Sequence, residues 1–406
     1  MEKLKVLSLF SGIGAFEKAL SNLGVEHEVV GFSEIDRYAS KSYQAIHGDI
    51  PALGDITKID EKTLPKDIDL ITYGFPCQDI SRAGLQKGLF DAEGKSTRSG
   101  LFFDALRIIQ ATKPKIAIAE NVKGLICDGM QEVFSIIMES LKGVGYSNYW
   151  FLLNAKHYGV PQNRERVFII SIRNDEDTLK LYSWNEETTR IPLTRFVKDL
   201  RETNVDKKYD LTPRMLEKIV TRLYENNEAL KLMNLYDFDR SKSRFRVPQD
   251  NGIAPTLMCR SHLAIIENGG GFLIPSANKI GFEIAHDGDG VYLDRPHQKR
   301  GTVQKGMIPT LKCNNRDVGI IDGMRARRIT PLEGFRLTGF EDSDFEKARP
   351  LMSDTQLYSQ VGNSIVVQVA EMVLKKGLLA TKSFTHLLEE DQISLFDFIG
   401  GYQNDD

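Results

Sequence analysis

Lys5-Val6-Leu7-Ser8-Leu9-Phe10-Ser11-Gly12-Ile13-Gly14-Ala15-Phe16-Glu17-Lys18-Ala19-Leu20 decides the fold of this 406-residue chain. The apolar run ending at Phe10 predicts a strand, and Phe16 to Leu23 predicts a helix. Between them sit small residues, where a backbone can turn tightly and let a ligand approach the helix amino terminus. About twenty residues on, Glu34 ends the next strand, where a carboxylate can accept hydrogen bonds from both hydroxyls of a ribose. The pair suggests an adenosine site, with a plain strand-to-helix turn as the competing reading. Glu17 stands at the place of the third glycine of the dinucleotide fingerprint, which weakens a nicotinamide reading.

Outward from this unit, short apolar runs alternate with amphipathic stretches. Lys5 to Phe10, Val29 to Ser33, Asp69 to Tyr73, Lys115 to Ala119 and Val167 to Ile172 read as strands. Phe16 to Leu23, Phe102 to Gln110 and Met130 to Leu141 read as helices. The expectation is a doubly wound, Rossmann-like α/β fold, a parallel sheet covered on both faces with its ligand crevice at the carboxyl ends of the strands. After Asn174 the texture becomes charged and weakly periodic, then Gly-rich with short β-like runs to Asp322. There Pro255-Thr256-Leu257 followed by Cys259 recurs as Pro309-Thr310-Leu311 followed by Cys313, which fits two related β units or chance. Helical character returns after Arg325, clearest from Gln368 to Leu379. The expected organisation is a catalytic domain over residues 1–190, a smaller and mostly β domain with its lead-in over 191–323, a return segment over 324–385 and an acidic tail over 386–406.

Composition narrows the classes. No apolar run is long enough to span a bilayer, and Met1-Glu2-Lys3 does not begin a signal peptide, so a cytoplasmic protein without a membrane partner is expected. Cys77, Cys127, Cys259 and Cys313 form no C-x-x-C pair, which argues against a zinc site or a disulfide scaffold. The net charge of -3 does not favour nucleic acid, yet Arg240 to Thr330 holds fifteen Lys or Arg against eight Asp or Glu. A solvated face explains that imbalance as well as a polyanion does.

The chemistry-bearing residues fall at one edge of the expected sheet. Gly74-Phe75-Pro76-Cys77-Gln78 follows the strand Asp69 to Tyr73, so Cys77 sits on a loop behind a conformationally fixed proline. That placement favours a reactive thiol, while a small buried core residue is the usual fate of a lone cysteine and the competing reading. Glu120-Asn121-Val122 ends another strand, and Gln162-Asn163-Arg164-Glu165-Arg166 precedes a third. A thiol, a carboxyl and alternate arginines thus converge on one crevice, although each alone could be structural.

Taken in order, Phe10 to Gly14, Glu34, Gly54-Asp55-Ile56-Thr57, Gly74 to Gln78, Gly100-Leu101-Phe102-Phe103-Asp104, Glu120 to Val122, Gln162 to Arg166, Arg328 to Gly334 and Gly362-Asn363-Ser364 resemble the motifs of the bacterial and phage DNA cytosine-5 methyltransferase family. The resemblance covers nearly the whole chain; Ala15 departs from it, standing where the family has a second adjacent glycine. It implies methyl transfer from S-adenosylmethionine to carbon 5 of a flipped cytosine in duplex DNA, leaving S-adenosylhomocysteine and using no metal. Cys77 would be the nucleophile at carbon 6, Glu120 would contact N3, Arg164 would lie beside the base and Arg166 would support the loop. Phe10, Gly12, Ile13, Gly14, Glu34, Ile35, Asp55, Ile56, Pro76, Leu101, Asn363 and Ser364 would form the cofactor pocket, and the basic stretch would be the target-recognition domain of a monomeric enzyme. The competing classes are a tRNA cytosine methyltransferase, a nicotinamide oxidoreductase and a DNA-binding protein without catalysis. Gln392-Ile393-Ser394-Leu395-Phe396 resembles the peptide by which bacterial proteins bind the sliding clamp, with Gln392, Leu395 and Phe396 as its anchors. A terminal turn packed on the chain's own catalytic domain is the other reading of that tail.

Overall fold

The computed structural model describes residues 3–76, 98–185, 187–193, 196–211, 265–266, 271–279, 281–293, 301–313, 317–323 and 325–388. Cys77, the first Pro255 to Cys259 copy, the parts Lys242 to Arg246 and Arg295 to Arg300 of the basic stretch, and the tail peptide from Gln392 lie outside these residues.

In the first part, Leu4–Leu9 forms β1, Ala15–Asn22 α1, His27–Ser33 β2, Arg37–His47 α2, Leu70–Tyr73 β3, Phe102–Thr112 α3 and Ile116–Val122 β4. Gln131–Gly143 forms α4, Tyr146–Asn154 β5, Gln162–Asn163 β6 and Glu165–Arg173 β7. Six of these strands make one sheet in the order β2-β1-β3-β4-β7-β5. The chain runs outward from β1 to β2 and returns to β3 on the other side of β1. The loops leaving β1 and β3 therefore diverge and open a crevice at the carboxyl ends of the strands. Alternate side chains face opposite cores: Leu4, Val6, Ile116, Ile118 and Ile170 join one, Leu7, Leu9, Ile71, Ala117 and Ile169 the other.

The sheet is mixed, which corrects the expectation of a parallel one. β7 runs antiparallel to both β4 and β5. The physical reason is the short link between β5 and β7, which a hairpin-like return accommodates, whereas a parallel crossover needs a dozen or more residues, usually a helix. Three further elements, α2, β5 and the two-residue β6, are not among those expected. A signal for α2 is present, because Asp36 caps it by accepting from the backbone N–H groups of Tyr38 and Ala39, and Ala39, Tyr43 and Ile46 recur at helical spacing on its buried face.

Val197–Leu200 forms a short α5. Ile265–Ile266, Gly271–Pro275 and Phe282–Ala285 form the antiparallel β8, β9 and β10. Gly290–Tyr292 (β11), Val303–Gln304 (β12), Val318–Asp322 (β14) and Arg325–Arg328 (β15) form a second small antiparallel sheet, and one apolar core joins Phe272 of β9 to Val291 and Ile321 of this sheet. Ile308–Pro309 (β13) instead pairs with β6 of the first part. The β14–β15 hairpin spans the position expected as a domain boundary, between residues 323 and 324. Arg327, wholly buried on β15, is held by Asp322 and by both oxygens of Glu333, which also closes the capping box of the next helix with Thr330. That helix, Pro331–Leu337 (α6), is followed by Asp342–Ala348 (α7), Asp354–Asn363 (α8) and Val367–Leu379 (α9). α9 returns to the large sheet beside α1, and Gly377 allows the approach, since a Cβ there would lie 2.7 Å from Ile116 Cδ1. Among the described residues no helix is long and apolar enough to cross a membrane.

Candidate active site

A cavity of about 390 Å³ opens at the crevice between the loops of β1 and β3. Its walls include Phe10, Gly12, Ile13, Glu34, Ile35, Asp55, Ile56, Pro76, Leu101, Glu120, Arg164, Arg166 and Asn363. Ser364 lies instead on an adjoining recess of about 60 Å³ that shares Gly12, Gly74, Glu120 and Asn363 with the main cavity. Gly14 lines neither. It supports the turn from behind, with φ +82° and so little room that a Cβ would come within 2.1 Å of His47 Nε2. His47 itself binds the carbonyl of Ile13, and burial holds its imidazole below the usual basicity.

The turn after β1 is strained where it meets the cavity. Phe10 has φ 54°, the left-handed region that a bulky side chain seldom adopts. The Ser11 amide donates to the Ser33 carbonyl, which ties the turn to the end of β2. Glu34 then receives the Gly12 N–H on one carboxylate oxygen, at 2.9 Å, and the Asp36 N–H on the other, at 2.8 Å. Burial pushes its carboxyl above the usual range, and the two backbone donors pull in the opposite direction. Asp55 caps its own turn by accepting from the backbone and hydroxyl of Thr57, which holds its carboxyl below the usual range.

On the other wall, Glu120 Oε1 meets Arg166 Nε at 2.8 Å. Gly74 faces the same carboxylate: a Cβ there would sit 3.5 Å from Glu120 Oε2. Asn121 is buried; its amide donates to the Phe75 carbonyl and its oxygen accepts the Val122 N–H. The Gly74-Phe75-Pro76 segment leading to Cys77 is thereby pinned beside Glu120. The sequence motif alone points to no role for Asn121. Ser359 and Gln360 of α8 also reach the cavity, and their nearness to Gly362-Asn363-Ser364 is the one signal that could have found them.

The model of the family described as C-5 cytosine-specific DNA methylase matches residues 4–378. The chain belongs to this family. It is similar to the orphan methyltransferase M.SPRI of Bacillus phage SPR, at 36% identity over 93% of this chain and 98% of the phage protein. It is also similar to the type II methyltransferase M2.ScrFI of Lactococcus lactis subsp. cremoris, at 32% identity over 92% of this chain and 98% of that one. The crystal structure of S. pombe Dnmt2 methyltransferase shares its fold, with a TM-score of 0.56 at 18% identity, over 93% of this chain and 98% of that one. The reaction of this methylase is methyl transfer to carbon 5 of cytosine in DNA.

Within the methylase the two arginines, both on the cavity wall, have different partners. Arg166 adjoins the Glu120 carboxylate. Arg164 touches the cavity wall but is almost wholly buried, and its guanidinium donates to the carbonyls of Leu311, Gly362 and Ser364. Among the described residues no group of His, Cys, Asp and Glu is arranged to hold a metal ion.

Proposed function

We propose that the methylase takes its methyl group from S-adenosylmethionine bound in the main cavity and uses Cys77 as the nucleophile on a cytosine turned out of duplex DNA. The observation that carries this reading is the Glu120–Arg166 pair on the cavity wall, beside Gly74, the residue three positions before Cys77. The cavity volume lies in the range of small-molecule sites. Glu34 is fixed by two backbone donors, so each carboxylate oxygen keeps a lone pair for a ribose hydroxyl. Ile35 is 79% exposed on the cavity wall, and with Ile56 it offers apolar surface to a purine ring. S-adenosylmethionine supplies an electrophilic methyl on a sulfonium and leaves as S-adenosylhomocysteine.

Carbon 5 of cytosine is too weak a nucleophile to take that methyl unaided. Addition of the Cys77 thiolate to carbon 6, with Glu120 hydrogen-bonded or protonating at N3, moves electron density to carbon 5. Arg166 orients the Glu120 carboxylate for that contact. After methylation, loss of the carbon 5 proton lets the thiolate leave. None of these groups could reach carbon 6 inside a stacked duplex, so the base is extruded at a cost of a few kcal/mol. Contacts from residues 191–323, read as the target-recognition domain, offset that cost. Residues 1–190 and 324–385 form the catalytic domain around it in a monomeric, cytoplasmic enzyme. The names of the relatives favour phage-borne, solitary or restriction-linked protection of DNA.

Incubating the protein with S-adenosylmethionine and unmethylated plasmid, then mapping 5-methylcytosine by bisulfite sequencing, tests the reading. One short recurrent sequence is expected to be methylated, and Cys77→Ala is expected to abolish the signal; methylation that survives the substitution would assign the nucleophile elsewhere. Glu34 gives a second test. Its folded pKa is raised, so the stability it contributes is present at low pH and is lost as pH rises through that pKa; cofactor affinity has the opposite sign, because binding needs the carboxylate. Affinity for S-adenosylhomocysteine is expected to weaken on acidification at a pH above 4.5, and Glu34→Gln to weaken it roughly tenfold at neutral pH with little further pH dependence. Identical pH curves for the two proteins would remove Glu34 from the cofactor site. The tail peptide anchored by Gln392, Leu395 and Phe396 is read as a sliding-clamp contact that couples methylation to new DNA. Deleting residues 391–406 is expected to abolish clamp capture in a pull-down, and unchanged capture would dismiss it.

A further inference from the structure

Arg164 lies between β6 and β7 with only 2% of its surface exposed. Nη1 donates to the Leu311 carbonyl at 3.0 Å, and Nη2 to the carbonyls of Gly362 and Ser364 at 3.0 and 2.7 Å. Leu311 belongs to the segment that follows β13, within the region read as target-recognising. Gly362 and Ser364 sit at the carboxyl end of α8, where carbonyls without helical partners gather partial negative charge and a buried cation is well placed. Asn363, between those two acceptors, faces both the main cavity and the recess beside it.

The same junction is closed by independent contacts. β13 pairs with β6, setting Pro309 opposite Asn163, and the Thr310 hydroxyl donates to the Asn163 carbonyl. The Cys313 thiol donates to Asn363 Oδ1 at 2.8 Å. Backbone presses on backbone there, because a Cβ on Gly362 would lie 2.2 Å from the Lys312 carbonyl carbon and the Cys313 nitrogen.

We propose that Arg164 is a positioning residue for the cofactor wall: its guanidinium joins the Leu311 segment to the end of α8 and so fixes Asn363 in the cavity, linking the target-reading region to cofactor affinity. The proposal rests on the cofactor reading of the cavity given above. Lysine is a poor substitute in this role, because a compact ammonium cannot reproduce a planar fork spanning carbonyls from two chain segments. The role also separates the two arginines of Gln162 to Arg166: one holds the wall, the other the catalytic carboxylate.

Full-length Arg164→Lys, Gly362→Ala and Arg166→Lys proteins would be compared with the wild type. The readouts are calorimetric titration of S-adenosylhomocysteine without DNA, and KM for S-adenosylmethionine and kcat on the methylated duplex sequence. Arg164→Lys is expected to weaken S-adenosylhomocysteine binding and raise KM roughly tenfold or more, the loss of one or two charge-assisted hydrogen bonds, with kcat at saturating cofactor within about threefold of wild type. Gly362→Ala keeps the arginine, suits a helix, and is expected to reproduce the effect by forcing the two backbones apart. Arg166→Lys is expected to do the reverse, lowering kcat about tenfold or more with cofactor affinity within about twofold. Loss of kcat with unchanged cofactor affinity in Arg164→Lys, or wild-type cofactor binding in Gly362→Ala, would overturn the proposal. Failure of the wild-type protein itself to bind S-adenosylhomocysteine would instead overturn the cofactor reading beneath it.

Discussion

The antiparallel register of β7 against β4 is the constraint on which the site depends. It pairs Val122 with Arg166 and Glu120 with Phe168. A strand running the other way begins where its neighbours end, so the first residues of β7 arrive at the carboxyl edge of β1, β3 and β4. That direction delivers a guanidinium to the Glu120 carboxylate without any long loop. In an all-parallel sheet Arg166 would start at the far edge, and the carboxylate would face the Gly74 loop without this partner.

A second demand follows from the order of the chain. The cavity takes one wall from residues 10–56 and another from residues 359–363, with the smaller β sheets inserted between them in sequence. The return is secured by burial of α9 against α1 and the sheet, and by polar ties at the rim. The second of these is directional: Arg164 Nη2 donates to the carbonyls of Gly362 and Ser364 at the end of α8. Apolar packing alone would tolerate sliding of α8, and these bonds hold it to one position.

Much of this was legible in the sequence because local rules carry it. β1, its glycine turn and α1 followed from an apolar run, small residues and helical spacing; the structure places them with boundaries shifted by only a residue or two. The cavity likewise gathers most of the motif residues from Phe10 to Asn363, since the motifs lie at strand or helix ends that meet at one edge of the sheet. What escaped had non-local causes. The direction of β7 depends on how β5 and β7 are joined, which periodicity does not encode. The different partners of Arg164 and Arg166 depend on which groups lie within reach, and for Arg164 these are the carbonyls of Leu311, Gly362 and Ser364. The repeated Pro-Thr-Leu-x-Cys segment read as a β unit is, in its second copy, a short strand pairing with β6 rather than with the small sheets.

The central claim is that this assembly serves a thiolate at Cys77 that bonds to carbon 6 of cytosine. A duplex carrying 5-fluorocytosine at the methylated position tests it directly, because after addition and methyl transfer the fluorine cannot leave carbon 5 as a proton does, and the adduct persists. With S-adenosylmethionine present, the account predicts a denaturation-resistant protein–DNA complex whose DNA-bearing peptide contains Cys77. Attachment at Cys127, Cys259 or Cys313, or no complex under conditions in which ordinary cytosine is methylated, would contradict it.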